Sequence, residues 1–310
     1  MTVLVTGGTG FIGSHILRGL VQRGDEKPIV YDLMPNLSSI YDISKNIKVV
    51  RGDVLDLPHL LRVIKENNIK KIIHMAYLLI DASRKNPYKA MQVNILGTIN
   101  VFEAARILDL ERVVWASSAG VYGQAEYYGG QSVEVDEESP TKPTTIYGAC
   151  KVLGEFALEF YSEKYGLNLI ALRPTQVYGP GRTRGGVAFM SRLIEDPARG
   201  KPIKLPYPPE QEHDWLYVKD AADSFVTACF AKKLKHNIFN IGGETHTLGE
   251  AASYVKELIP DASITFEGKN PVGWVSRYNF TRAAEELGYK PKYSLKDGVR
   301  EIIETARSSS

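Results

Sequence analysis

Cysteine is scarce in this sequence: Cys150 and Cys229 are the only two in 310 residues. So few exclude a disulfide framework and suit a reducing cytoplasm. Each reads as a small buried apolar residue rather than a reactive thiol. An excess of charge of one sign is also lacking, since 38 Lys and Arg against 36 Asp and Glu leave a formal net charge of +2. That balance gives no reason to expect nucleic acid or an anionic membrane as a partner. No apolar run is long enough to span a bilayer. Met1-Thr2-Val3-Leu4-Val5 enters a strand pattern without the basic and apolar regions of a signal peptide. His15, His59, His74, His213, His236 and His246 are scattered at no ligand spacing, so no metal is expected.

What is present is an ordinary globular composition, 44% apolar and 24% charged residues, with ample material for a core. Through the first half, short apolar runs alternate with helical periodicity. Strands are expected at 2–6, 28–32, 47–51, 71–76, 112–117 and 167–172, and helices at 11–23, 57–67, 88–108 and 145–165. Continuous apolar strands separated by helices imply an α/β fold, a Rossmann-type doubly wound parallel sheet covered on both faces. After Arg173-Pro174 the pattern loosens, with a Gly- and Arg-rich stretch at 179–186 and a Pro-rich one at 202–209. Helices near 187–194, 220–231, 248–258, 281–287 and 295–306 then belong to a smaller, interleaved C-terminal α/β part. Residues 308–310 are expected to form a frayed tail.

Gly7, Gly10 and Gly13 stand between a strand and a helix. A turn without side chains lets backbone amides approach a pyrophosphate at the positive end of that helix. Asp32 ends the second strand 19 residues beyond Gly13 (32 − 13). A carboxylate there accepts hydrogen bonds from ribose hydroxyls and repels a ribose phosphate, which favours NAD over NADP. Asp53 of Gly52-Asp53-Val54 either meets the adenine amino group or closes a turn. Tyr147 and Lys151, four apart on a helix, share a face. An ammonium beside a phenol favours the ionised form, which makes an acid–base at an alcohol or carbonyl. Ser117 and Ser118 end a strand upstream, and strand alternation lets only one of them face the same site.

With these residues assembled, the chain resembles the extended short-chain dehydrogenase/reductase family, the NAD-dependent epimerase/dehydratases, from Thr2 to about Leu287. The turn Thr6-Gly7-Gly8-Thr9-Gly10-Phe11-Ile12-Gly13 matches the family's Thr-Gly-x-x-Gly-Phe-Ile-Gly. His74-Met75-Ala76-Tyr77 stands where the family usually has His-Leu-Ala-Ala, a segment passing beside the cofactor. Asn94 with Gly97-Thr98, the serine strand end Ser117–Gly123, the Arg173–Gly181 loop and Val218-Lys219-Asp220-Ala221-Ala222 match in order. The resemblance implies that Lys151 holds the nicotinamide ribose and lowers the Tyr147 pKa. It also implies that Tyr147 exchanges a proton with a secondary alcohol or ketone, and that Ser118 rather than Ser117 bonds the same oxygen. The expected cofactor contacts are Gly7, Gly10, Phe11, Ile12, Asp32, Asp53, Val54, Met75, Ala76, Tyr77, Asn94, Tyr147, Lys151, Pro174 and Val177. The expected substrate contacts are Ser118, Ala119, Tyr147, Gln176, Arg182, Arg184 and His213. Residues 1–173, receiving also about 216–242, are the expected NAD-binding domain, and 174–310 mainly the substrate-binding domain. A homodimer is expected through the helices around 88–108 and 145–165, as relatives commonly pair them.

The sequence departs from the nucleotide-sugar epimerases between Leu205 and Trp215. These usually carry Gly-Asp-Gly and then an Arg-Asp whose arginine helps bind the nucleotide diphosphate. Here His213 stands at the arginine's place, and a neutral imidazole is a poorer diphosphate ligand. Arg182 and Arg184 either bind an anionic group bidentately or lie in a solvated loop. Residues 124–143 form either a lid or a surface loop. Three functions compete. One is a net NAD-dependent dehydrogenase of a small polar secondary alcohol such as a sugar, sugar acid or hydroxy amino acid. Another is a nucleotide-sugar epimerase using NAD transiently. The third, a non-catalytic NAD-binding regulatory protein, is disfavoured by the intact Ser118, Tyr147 and Lys151.

Overall fold

The computed structural model describes residues 2–24, 27–130, 132–232 and 234–308. Its centre is a parallel sheet of seven strands in the spatial order Ile238–Ile241, Leu169–Pro174, Arg112–Ala116, Lys71–His74, Val3–Thr6, Ile29–Asp32, Lys48–Arg51. Alternation along the strands divides the core. Val3, Val5, Val30, Ile73 and Val114 pack with Ile16, Leu17 and Leu20 of the Phe11–Arg23 helix and Phe225 of the Val218–Phe230 helix. Leu4, Tyr31, Ile72, Val113 and Trp115 face the other way, onto Leu60, Val63, Phe102 and Leu158. Those come from the helices Leu57–Glu66, Gly97–Ile107 and Ile146–Tyr165. Both faces being covered, the inner strands read as continuous apolar runs. Full burial of Trp115 contributes at most about 4–6 kcal/mol.

Strand order reverses between Val3–Thr6 and Lys71–His74, and such a switch point opens a crevice at the carboxyl ends of the strands. The glycine turn, the 75–77 segment and the ends of Arg112–Ala116 and Leu169–Pro174 all meet that edge. Beyond Pro174 a smaller sheet forms, with Gln176–Tyr178 parallel to Glu212–Tyr217 and Glu244–Thr247 antiparallel to it. The first core cluster continues without a break from the large sheet through Met190, Leu193 and Val255 to Val299 and Ile302.

Three expectations change. The helix expected over 88–108 is three pieces, Pro87–Met91, a wide π turn Gln92–Leu96, and Gly97–Ile107. Asn94 in that turn is completely buried, accepting from the Leu78 N–H at 2.8 Å and donating to the Leu78 carbonyl at 3.0 Å. The described residues of 124–143, 124–130 and 132–143, are tied to the rest of the fold. Glu134–Val135 pairs with Arg277–Tyr278, and Ala125 and Val135 pack with Tyr122, Val275 and Tyr278. Ser308 closes the Leu295–Ser308 helix instead of fraying; Ser309, Ser310 and Lys233 lie outside the described residues.

Candidate active site

The turn after the first strand has no room for side chains. Gly7 has φ +65°, and a Cβ on it would lie 2.8 Å from the Ala76 nitrogen; a Cβ on Gly13 would lie 2.5 Å from the Gly7 carbonyl oxygen. Gly10 precedes the Phe11–Arg23 helix, and no side chain caps it. The leading N–H groups, beginning at Phe11 and Ile12, therefore remain available to an anion. Asp32 sits across this turn. Its Oδ2 accepts from the Thr9 hydroxyl at 2.6 Å and the Thr9 N–H at 3.3 Å, and its Oδ1 from the Met34 N–H at 3.1 Å, which leaves acceptor capacity on Oδ1. Asp53 closes its own turn by accepting from the Leu55 N–H at 2.9 Å. Val54 is buried beneath Gly97.

Thr145 caps the Ile146–Tyr165 helix by accepting from the Gly148 N–H at 3.0 Å. This sets Tyr147 in the first turn and Lys151 one turn further in. The two serines part as alternation requires. Ser117 donates to Glu155 Oε1 at 2.5 Å, whereas Ser118 accepts from the Gly120 N–H at 3.0 Å and lies with the Tyr147 ring against Gly120. Burial raises the Tyr147 pKa; the neighbouring Ser118 hydroxyl and the positive charge of Arg182 oppose it. That charge was expected to come from Lys151. Burial instead depresses the Lys151 pKa well below the ordinary lysine value, with Glu155 pulling the other way. Lys151 is 1% exposed and donates to the Ala116 carbonyl.

Behind Lys151 lies an ion pair that sequence reasoning missed. Arg173 donates to both Glu155 oxygens at 2.7 Å and to the Tyr122 hydroxyl at 2.8 Å. The Tyr122 hydroxyl in turn donates to Asn240 Oδ1 at 2.7 Å. The clue was available: Glu155 stands one helical turn beyond Lys151, on the same face.

The two expected anion-binding arginines separate. Arg184 is exposed. Arg182 folds inward, donates to the Val177 carbonyl and lies 5.5 Å from the centre of the Phe11 ring, with its Nε buried and unpartnered. Burial lowers its pKa to about 10, with Tyr147 opposing. His213 is completely buried, and neither ring nitrogen has a hydrogen-bond partner among the described residues. Burial lowers its pKa to about 4. Its ring packs against Phe189 and Trp274, which both contact Tyr207; this aromatic cluster had no signature in the linear sequence.

Ser118, Tyr147, Lys151, Tyr77 and Arg182 thus converge, and Ala119 is buried next to Ser118. Asn94 holds the Leu78 backbone through its amide and so fixes the 75–78 segment. Gln176 accepts from the Asp214 N–H at 3.2 Å. Among the described residues no group of three or more His, Cys, Asp or Glu is arranged to hold a metal ion, and no helix is long and apolar enough to cross a membrane.

The model of the NAD dependent epimerase/dehydratase family matches residues 3–242. The chain belongs to that family. The family's enzymes are epimerases, dehydratases and dehydrogenases, and this chain is an enzyme of the same kind. A UDP-glucose 4-epimerase of Mycolicibacterium smegmatis is 30% identical over 100% of this chain and 100% of its own length. The solved UDP-glucose 4-epimerase of Thermus thermophilus, in complex with NAD, is 30% identical with a TM-score of 0.86, covering 100% of both chains. An L-threonine dehydrogenase structure from Clostridium difficile is 25% identical with a TM-score of 0.88, covering 99% of this chain and 98% of that one. NAD is the family's cofactor, and the residues present fit it. The turn that a Cβ would fill and the uncapped helix suit the pyrophosphate, the remaining acceptor site on Asp32 Oδ1 suits a ribose hydroxyl, and Lys151 has donors to spare.

Proposed function

We propose that this epimerase/dehydratase-family enzyme is a net NAD-dependent dehydrogenase. Its substrate is a secondary alcohol on a small polar molecule carrying an anionic group, such as a sugar acid or hydroxy amino acid. The observation that carries the substrate argument is His213. A buried imidazole held neutral among aromatic rings, where the nucleotide-sugar pattern usually has arginine, offers a diphosphate no charge. The buried, unpartnered Nε of Arg182 beside Tyr147 supports a compact anion near the reacting carbon. Bound NAD supplies the hydride acceptor. Tyr147 removes the alcohol proton, Ser118 orients the alcohol oxygen, and Lys151 holds the nicotinamide ribose.

The second reading is a nucleotide-sugar 4-epimerase, supported by the full-length similarity to UDP-glucose 4-epimerases. A panel of sugars, sugar acids, threonine-like alcohols and nucleotide sugars, followed by NADH absorbance and product chirality together, separates the two. Stoichiometric NADH with a small anionic alcohol is the expected result. An isomerised nucleotide sugar with no net reduction overturns it.

The same reading divides the chain into a cofactor part, 1–173 with about 216–242, and a mainly substrate-binding part, 174–310. In support, Ile238–Ile241 returns to the large sheet beside Leu169–Pro174, and the Val218–Phe230 helix packs under that sheet. A homodimer is supported by the exposed apolar residues Tyr88, Met91, Leu153, Phe156 and Phe160 on neighbouring helices. Two free, buried cysteines support a reducing, cytoplasmic setting.

A further inference from the structure

The ammonium of Lys151 is buried without a carboxylate partner. Its only hydrogen-bond acceptor among the described residues is the Ala116 carbonyl. Glu155, one turn away, is engaged by both Arg173 and Ser117. What surrounds the charge instead is aromatic. The Nζ lies 3.1 Å from the centre of the Tyr77 ring, 5.0 Å from that of Trp115 and 5.4 Å from that of Tyr147. The negative face of an aromatic ring attracts a cation, most strongly where water is excluded.

We propose that Tyr77 is a positioning residue whose ring face holds the Lys151 ammonium charged and in place for the cofactor ribose. Tyr77 occupies the position where the family pattern has a small alanine, so the device belongs to this chain. The backbone around it is fixed. Ala76 abuts the Gly7 turn so closely that a Cβ on Gly7 would collide with it, and Leu78 is clamped on both sides by Asn94. The Tyr77 ring meets Tyr147 edge-on, centroids 5.4 Å apart at 84°, so it touches both members of the pair. Its hydroxyl is buried and has no hydrogen-bond partner among the described residues. The ring, and not the hydroxyl, therefore does the holding. The inference rests on the reading of Lys151 as a ribose ligand.

The test replaces Tyr77 with Leu, Phe and successively fluorinated phenylalanines, which drain the ring face of negative charge at nearly constant shape. Two properties of the full chain are measured: NAD⁺ affinity by titration calorimetry, and the urea midpoint without cofactor. Tyr77→Leu is expected to weaken NAD⁺ binding about 30-fold, the weight of a desolvated cation–π contact, and to lower the midpoint. Tyr77→Phe should restore affinity to within about threefold and the midpoint fully, since it sheds an unpartnered hydroxyl. The fluorinated series should decline stepwise in both properties. A flat fluorinated series, or a Tyr77→Phe loss as large as that of Tyr77→Leu, overturns the proposal. Lys151→Met separates it from the reading beneath it. If that variant binds NAD⁺ normally, the ribose role of Lys151 fails; if it binds poorly while the fluorinated series is flat, only the role of Tyr77 fails.

Discussion

Replacing His213 with phenylalanine tests the substrate argument without any substrate in hand. Burial holds the His213 pKa at about 4, against an ordinary value of 6.5 in the unfolded chain. Above the ordinary value neither state is protonated at this residue. As pH falls below it, the unfolded chain takes up a proton that the native ring refuses, so native stability is lost progressively down to the folded value. At about pH 5 that linkage amounts to roughly 2 kcal/mol. Phenylalanine keeps an aromatic ring among Phe189, Tyr207 and Trp274 and removes both the titration and the two unpartnered nitrogens.

At about pH 7.5 the variant therefore gains only what the unpartnered nitrogens cost, about 1–3 kcal/mol less any strain from the larger ring. Moving to about pH 5 should widen its advantage by roughly a further 2 kcal/mol. Urea denaturation of both proteins at the two pH values reads this directly, provided the slopes agree. An advantage that stays constant across the two conditions refutes the reasoning. It would mean that His213 protonates in the folded protein as readily as in the unfolded one, and so can present charge to a diphosphate.

Tyr147→Phe removes the proposed proton acceptor, and turnover should fall about 10²–10⁴-fold while calorimetry finds NAD⁺ binding largely intact. Gly154→Ala should destabilise by about 1–3 kcal/mol in urea, because the new Cβ would lie 2.3 Å from the Trp115 ring, outweighing a helix-propensity gain of about 1 kcal/mol. Glu155→Ala leaves the buried Arg173 without its carboxylate, and a loss of about 3–5 kcal/mol is expected in the same assay. Phe156→Lys places charge on the most exposed large aromatic of the Ile146–Tyr165 helix, 68% exposed; sedimentation should show a shift toward monomer if that face joins two copies.

The order of strands and helices in the first half was legible because each element carries its own period. Apolar runs such as Ile72-Ile73 and Val113-Val114-Trp115 announce strands buried on both faces, and the glycine turn needs only its neighbours to be read. Tyr147 and Lys151 were legible for the same reason, since four residues on one helix are a local relation. Asn94 shows where this stops. Nothing in residues 88–108 says that an asparagine will reach the backbone of Leu78 and open a π turn to do so. The partner is 16 residues away in sequence, and only the assembled sheet brings the two together.

The environment of the Tyr147–Lys151 pair belongs to this non-local class, and it changes what the pair means. From sequence, the lysine is the positive charge that prepares the tyrosine. In the fold, Lys151 is shut away beneath Tyr77 and Trp115, and the positive charge opposing burial of the Tyr147 phenol is that of Arg182. Arg182 arrives from the loop after Gly181. A residue that both biases the catalytic phenol and keeps a buried N–H unpartnered couples substrate charge to acid–base chemistry. An anion pairing with Arg182 would neutralise the charge that favours the phenolate, so a substrate carboxylate should raise the Tyr147 pKa relative to a neutral alcohol. Parallel pH profiles for an acidic substrate and its neutral amide would show the ascending, low-pH limb displaced upward for the acid; coincident profiles would remove Arg182 from both roles.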